Sequence, residues 1–127
     1  MMLSEKMKIC CLYDPKFRDV PSNKRALKVF AEKAKNLGHE FEFITRKNIK
    51  KINDCNALFI RVTTNPENYT FTASRIAKEN KIKVIDDPDS IRKCANKVFL
   101  FELFRKNHIP IPRTKILNKR TQRKGVE

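Results

Sequence analysis

The stretch NALFIRVTTNPENYTFTASRIAKENKIKVIDDP, residues 56–88, decides the fold class. Its first part, ALFIRV, is a short apolar run that is typical of a buried strand, and a polar loop with a proline follows. Beyond the loop, Phe71, Ser74, Ile76 and Ala77 recur at helical spacing, and KVIDDP then predicts another strand. A strand, a helix and a second strand in this order indicate a βαβ unit, whose two strands run parallel.

Similar elements are predicted on the amino-terminal side of this unit. KMKICCLYD is a further apolar run and predicts a strand, while residues 22–38 have the periodicity of a helix. We expect Ser22 or Asn23 to cap that helix and Gly38 to end it in a left-handed conformation. HEFEFIT alternates as a strand does, and RKNIKKIND predicts a short helical turn.

Two more helices are predicted after residue 86. Asp87 caps a short one with Pro88 in its first turn, and Asn96 begins a second one that stops before HIPIP. The whole order predicts an α/β domain with a Rossmann-like, mostly parallel sheet flanked by helices. Ligands of such sheets gather at the carboxyl ends of the strands, where the polar clusters YDPKFRDVPSN, RVTTNPENY and DDPDS fall.

The scarcity of glycine excludes two kinds of nucleotide site. Gly38 and Gly125 are the only glycines, so neither a Walker A loop nor a G-x-G-x-x-G turn can be formed. A phosphate site in this chain must therefore use a helix terminus and side chains.

The cysteines suggest neither a metal site nor a C-x-x-C redox pair. No two of them have C-x-x-C spacing, and the sequence has no secretory h-region and no long apolar span. We expect reduced, mostly buried thiols in a cytoplasmic protein that has no membrane association and no metal ligands. The cysteines are Cys10, Cys11, Cys55 and Cys94.

The net charge of +15 leaves nucleic acid open as a partner. The alternative is that the many lysines are simply solvated, since basic residues are scattered over several segments and only KRTQRK is dense. No aromatic residues accompany that run, and the familiar RNA-binding signatures are absent.

The helix predicted after Asn96 has two unusual features. Its phenylalanines and leucines cover about 200° of the helical wheel, more than one buried face needs; either the helix is deeply covered within one domain or it packs on a second partner. Lys97 lies at the amino-terminal end, where the helix dipole disfavours a cation. Free N–H groups and a lysine together would bind an anion such as phosphate, and the alternative is a lysine extending into solvent.

Several of these pieces together resemble a known family. The order Arg61, polar loop, helix, VIDDPDS, Asn96-Lys97 and HIPIPRT is similar to the N-terminal part of ATP-grasp ligases, in particular the RimK-like and glutathione-synthetase-like groups. In that family this region is the pre-ATP-grasp domain, a Rossmann-like α/β unit whose last helix leads into the ATP-grasp domains. The resemblance covers most of the chain, more loosely at KICCLYDP.

The resemblance implies roles for particular residues. Lys97 would contact an ATP phosphate, and the excess apolar surface of its helix would pack on the following domain. Arg61 would contact the carboxylate of a small-molecule or peptide substrate, or else pair with Asp86 or Asp87. The loop that shapes the substrate side contributes the remaining candidates, Thr63, Thr64, Asn68 and Tyr69.

Two departures from the family pattern affect the functional expectation. His108 replaces the family's glycine before IPxP, and no residue can be assigned as a Mg²⁺ ligand or a catalytic group. We therefore expect residues 1–112 to form a pre-ATP-grasp-like domain and residues 113–127 to begin the link to an ATP-grasp domain or form a basic tail. The chain alone would be an inactive, truncated part of an ATP- and Mg²⁺-dependent carboxylate–amine or carboxylate–thiol ligase, completed in cis or trans. The alternative is a stand-alone basic module that binds a small anion or nucleic acid.

Overall fold

The computed structural model of the protein describes residues 5–122. It contains a four-stranded sheet in the order β2-β1-β3-β4, and every neighbouring pair is parallel. The strands are β1 (Lys8–Tyr13), β2 (Glu40–Ile44), β3 (Ala57–Arg61) and β4 (Lys83–Ile85). The predicted fold class, an α/β domain with a Rossmann-like parallel sheet, is confirmed.

Helices connect and follow these strands. They are α1 (Pro21–Asn36), α2 (Tyr69–Glu79), α3 (Pro88–Ala95), α4 (Lys97–Lys106) and α5 (Lys119–Gln122). Two 3-10 segments, Pro15–Phe17 and Arg46–Asp54, lie in the connections after β1 and β2. Arg46–Asp54 is the predicted helical turn.

One face of the sheet packs on α2 and on the 3-10 segment Arg46–Asp54, and it carries the main core. Leu12, Leu58 and Ile60 from the two central strands lie there with the fully buried Ile52. Alternate residues of a strand point to opposite faces, so this face takes the even-numbered residues of β1 and β3. Burial of this apolar surface is the main stabilising contribution to the fold.

The opposite face is covered by α1. Leu27 and Ala34 of that helix are buried, and the rings of Phe30 and Phe59 meet edge to face with 4.9 Å between centroids. Helix α1 does not cover the whole of this face: Ile85 on the edge strand β4 is 65% exposed.

Local signals set most helix ends. The φ of +85° at Gly38, the Asp87 cap of α3 and the Asn96 cap of α4 are as predicted. The predicted cap of α1 at Ser22 or Asn23 is wrong, because that helix begins at Pro21 and has no side-chain cap. Proline at the first helical position needs no partner for its missing N–H, which favours the earlier start.

Two cysteines are joined in the structure. Cys10 and Cys55, both buried, form a disulfide with their Cα atoms 6.1 Å apart, while Cys11 is free and buried and Cys94 is free and exposed. The expectation of reduced thiols is therefore wrong for this pair. Parallel pairing of β1 with β3 brings residue 10 next to the segment that enters β3.

The chain divides into two compact units, Met1–Arg92 and Lys93–Glu127, with the boundary inside α3. The first unit contains the whole sheet with α1 and α2, and the second contains α4 and α5. This division by compactness does not test the functional boundary predicted after residue 112, which stays a prediction. Among residues 5–122 no helix is both long and apolar enough to cross a membrane.

Candidate functional site

The strand order creates a switch point between β1 and β3. The chain leaves β1 through α1 toward β2 on one side, and it leaves β3 through α2 toward β4 on the other. The two connections diverge, and a crevice opens between them at the carboxyl ends of the strands. Open α/β sheets bind their ligands at such a point.

A cleft of about 380 Å³ lies at this switch point, and we call it the strand-end cleft. It is formed by residues that directly follow β1, β3 and β4 together with the first turns after β1. Its lining residues are Asp14, Phe17, Asn23, Ile60, Arg61, Val62, Thr63 and Asp86. The cleft belongs entirely to the first unit.

Among residues 5–122, Arg61 is the single cationic side chain in the lining of the strand-end cleft. It is the last residue of β3, pairs in register with Tyr13, and is exposed. Within residues 5–122 the Arg61 guanidinium forms no ion pair, so the alternative of an ion pair with Asp86 or Asp87 is not observed. A guanidinium without a carboxylate partner is available for bidentate binding of an anion.

Hydrogen bonds within the protein engage the carboxylate of Asp87 and the backbone carbonyl of Asp86. The Asp87 carboxylate accepts hydrogen bonds from the N–H groups of Asp89 and Ser90 at 3.0 and 3.2 Å and from the Ser90 hydroxyl at 2.6 Å. These bonds cap α3, and those from Ser90 are the main reason that the pKa of Asp87 is lowered. The Ser74 hydroxyl donates to the backbone carbonyl of Asp86 at 2.6 Å, and Asp86 lines the strand-end cleft.

Arg61 also acts on the thiol of Cys11. Burial beneath α1 raises the pKa of Cys11 to about 12, and the positive charge of Arg61 opposes that rise. Cys11 is therefore a protonated, inert side chain at neutral pH, and the chemistry of the site falls to the charged groups at its opening.

The predicted loop residues are divided between two places. Thr63 lines the strand-end cleft with Arg61, whereas Asn68 and Tyr69 line a second cleft of about 430 Å³. Thr64 is half-buried in the loop and lines neither. The structure thus brings Arg61 and Thr63 together and separates them from the other three.

Asn68 has a clear structural task. Its side-chain oxygen accepts a hydrogen bond from the N–H of Thr70 at 2.9 Å and another from the Thr70 hydroxyl, which caps α2. Its side-chain nitrogen donates to the carbonyl of Thr63 at 3.4 Å. Asn68 therefore fixes the loop that carries Thr63. A substitution of Asn68 would affect a ligand of the strand-end cleft through the position of that loop.

The second cleft pairs Tyr69 with a cation. The Arg46 guanidinium lies 5.6 Å from the centroid of the Tyr69 ring, within the range of a cation–π contact. Burial is the main cause that raises the pKa of Tyr69, so its hydroxyl stays protonated at neutral pH.

Sequence reasoning named Arg61 and Thr63 as site candidates, whereas three further polar residues of the strand-end cleft were only placed within the polar clusters at the strand ends. Asp14 follows β1, Asp86 follows β4, and Asn23 lies in the first turn of α1, where its side chain donates to the carbonyl of Phe17 at 3.1 Å. The signal for both aspartates was their position directly after a strand.

Lys97 belongs to the second unit. It is the first residue of α4, it is exposed, and the side chain of Asn96 accepts a hydrogen bond from the N–H of Phe99 at 3.0 Å. No acidic residue lies in the first turn of this helix, so neither a carboxylate on that turn nor an ion pair within residues 5–122 engages Lys97.

The apolar residues of α4 are incompletely covered. None of its residues is buried, and Val98, Phe99 and Leu103 are 46%, 36% and 39% exposed. Of the two interpretations left open by the sequence, deep burial within one domain does not describe this helix. Its apolar surface remains available for a partner.

The chain matches no protein-family model and no curated protein sequence. Within residues 5–122 no group of histidine, cysteine or acidic side chains is arranged to hold a metal ion.

Proposed function

We propose that this chain is the N-terminal, pre-ATP-grasp domain of a RimK-like carboxylate–amine or carboxylate–thiol ligase that works in the cytoplasm, where ATP is available. The observation that carries the proposal is the strand-end cleft, which has an uncommitted guanidinium, that of Arg61, at the switch point of a parallel sheet. In the complete ligase a carboxylate attacks the γ-phosphate of ATP, ADP leaves, and an amine or thiol then displaces phosphate from the acyl phosphate.

The composition of the cleft supports a substrate that carries both charges. Arg61 would hold a carboxylate through two parallel hydrogen bonds, with the Thr63 hydroxyl as a further donor. The carboxylates of Asp14 and Asp86 would repel a simple dianion but attract an ammonium group. An amino acid or a short peptide combines these features, and we propose that class of substrate.

Lys97 and α4 would serve the nucleotide side. The free N–H groups of the first turn and the Lys97 ammonium favour a phosphate at this end of the helix. Its exposed apolar residues would pack on the ATP-grasp domain, supplied in cis or trans. Mg²⁺ would neutralise phosphate charge in the complete enzyme; residues 5–122 provide no cluster that fits it, so its ligands would come from the ATP-grasp domain.

The substrate side is tested by ligand-detected NMR on the protein with glycine, a set of larger α-amino acids, acetate and succinate. We expect an amino acid to bind and Arg61→Ala to weaken its binding at least tenfold. Asp14→Asn should reduce the preference for the amino acid over acetate. Arg75→Ala is the control, because Arg75 is exposed and ion-paired with Glu79 at 2.9 Å on α2. Equal binding by the Arg61→Ala and Arg75→Ala proteins would contradict the proposed role of the cleft.

The nucleotide side is tested by adding an ATP-grasp polypeptide from a RimK-like ligase and measuring ADP release with the amino acids above. We expect turnover in the mixture, and Lys97→Ala should remove most of it. Lys106→Ala, at the opposite end of the same helix, is the control. Turnover that is restored but unchanged by Lys97→Ala would show that Lys97 does not bind phosphate.

A further inference from the structure

A further cleft of the first unit lies between α1 and the edge strand β2, and we call it the α1–β2 cleft. Its volume is about 570 Å³, which is larger than the strand-end cleft. Both the helix and the adjoining strand ends contribute side chains to it. Its lining residues are Tyr13, Arg18, Lys24, Leu27, Lys28, Ala31, Glu32, Lys35 and Phe43.

The cations of this cleft form a row. Lys24, Lys28 and Lys35 follow one another along a single stripe of α1, which spans about 16 Å at 1.5 Å per residue. Arg18 adds a further charge just before the helix. Successive phosphates of a stacked strand advance about 3.4 Å along the helix axis, so a row of this length is long enough to contact more than one phosphate.

These charges are barely neutralised. Glu32 is the one carboxylate in the lining, and it lies 3.9 Å from the ammonium of Lys28, with both side chains well exposed. Within residues 5–122, Arg18, Lys24 and Lys35 take part in no ion pair. The cleft therefore keeps a positive potential that an anionic chain would neutralise.

Aromatic rings lie beside the row of cations. The rings of Tyr13 and Phe43 meet edge to face with 5.6 Å between centroids, and Phe43 is 39% exposed. The rings of Phe41 and Phe43 also meet edge to face, with 5.3 Å between centroids. An exposed aromatic ring next to cations is the arrangement on which unpaired bases stack while the phosphates follow the charges.

We propose that the α1–β2 cleft binds single-stranded nucleic acid, with the phosphates along Lys24, Lys28 and Lys35 and a base stacked on Phe43. The aromatic ring distinguishes this proposal from solvated lysines, which need no ring beside them. It also favours a single strand over a duplex, because the bases of a duplex are already stacked on each other. The proposal does not depend on the ligase function.

The test is fluorescence anisotropy with a labelled single-stranded 12-mer of mixed sequence and with the same strand annealed to its complement, from 50 to 300 mM salt. We expect the single strand to bind more tightly, with an affinity that falls log-linearly with salt. The triple variant Lys24→Gln, Lys28→Gln, Lys35→Gln should lose at least tenfold in affinity at 150 mM salt. Its salt slope should fall by about 2, the value for three phosphates on a single strand.

The matched control is the triple variant Lys50→Gln, Lys78→Gln, Lys81→Gln, which removes the same charge from exposed positions elsewhere in the first unit. It should lose less than threefold. Similar losses in the two triple variants would overturn the proposal, because binding would then follow net charge alone.

The role of the ring is tested by Phe43→Leu, which keeps an apolar side chain on β2 and should lower affinity about tenfold while leaving the salt slope unchanged. Far-ultraviolet circular dichroism checks that the variant folds. Tighter binding of the duplex, or equal binding by wild type and Phe43→Leu, would overturn the proposal.

Discussion

The two faces of the edge strand β2 differ in whether the lysines around them are neutralised by ion pairs. On the side that faces the 3-10 segment Arg46–Asp54, the strand presents glutamates, and lysines gather around them. Glu40 is ion-paired with Lys6 at 3.0 Å, and Glu42 is ion-paired with Lys8 at 3.0 Å and with Lys51. The lysines on this side are therefore neutralised by ion pairs within the protein.

On the α1 side, the alternate residues of the same strand are phenylalanines. Phe43 lines the α1–β2 cleft with Lys24, Lys28 and Lys35, and of the described residues in that lining Glu32 alone carries a carboxylate. The formal charge of +15 is thus unevenly compensated: one face of β2 is paired and the other is left open. Unpaired lysines beside exposed aromatic rings suggest a ligand-binding surface. Lysines that are ion-paired with glutamates suggest a contribution to stability.

The first prediction tests how far the α1 side is open. Cys11 pairs in register with Phe43 but is fully buried beneath α1, and its pKa is raised to about 12. Because the thiolate is the reactive form, we expect Cys11 at pH 8 to react with iodoacetamide about a thousandfold more slowly than an ordinary thiol. Cys94, which is exposed, should react at an ordinary rate.

Peptide mapping by mass spectrometry of the native protein gives both rates. Cys11 should become reactive after unfolding in urea, which is the internal control. In urea without a reductant, Cys11 and Cys94 should be the two reactive thiols, since Cys10 and Cys55 are paired. Equal native rates for Cys11 and Cys94 would show that α1 does not seal the centre of the sheet.

The second prediction concerns the paired side, where the 3-10 segment Arg46–Asp54 closes the core. Ile52 is fully buried there, so Ile52→Ala removes apolar contacts and leaves a cavity. We expect a loss of about 3 kcal/mol in the free energy of unfolding, measured by urea denaturation. Ile85→Ala on the α1 side is the control and should cost less than about 1 kcal/mol, since that side chain is largely exposed. The reverse ranking would mean that the α1 side carries the core.

Much of the fold was predictable because its signals are local. The apolar runs of β1 and β3, the spacing within α2 and the caps at Asp87 and Asn96 need only neighbouring residues to be read. The start of α1 was missed because two local signals compete there, a good cap at Ser22 and a proline at position 21 that suits the first helical turn.

The site was less predictable because it depends on pairings far apart in sequence. Arg61 and Thr63 were named through the family resemblance, which follows one continuous stretch of sequence, but Asp14 joins them only through the pairing of β1 with β3. The path of the loop separates Tyr69 from Arg61, and hydrogen bonds of Asn68 fix that path. The Cys10–Cys55 disulfide spans 45 residues and has no spacing signature.

The third prediction tests whether the ion pairs of β2 stabilise the protein. Hydrogen bonds from Lys51 and Lys8 lower the pKa of Glu42, so its charged form is favoured in the folded state. Glu42→Gln should lower the free energy of unfolding at pH 7 by less than about 1 kcal/mol, as expected for partly exposed pairs. The stabilisation is fully present above the ordinary glutamate pKa of about 4.3 and is lost as the pH falls through the lowered value.

Urea denaturation of wild type and Glu42→Gln between pH 7 and the acid limit of the native state measures this difference. The two curves should converge toward low pH. A difference that stays constant would show that Glu42 contributes through packing rather than charge.

The last and smallest effect is expected on the unpaired side. Lys24 has no carboxylate partner within residues 5–122, and it adds to the repulsion of a protein with a charge of +15. Lys24→Gln should therefore leave the free energy of unfolding unchanged or raise it slightly, within about 0.5 kcal/mol. Lys51→Gln, which breaks a pair with Glu42, should lower it instead. The two substitutions are compared side by side by urea denaturation at 50 mM salt. A loss of stability with Lys51→Gln alone would support the difference between the two faces of β2, whereas a similar loss with both would contradict it.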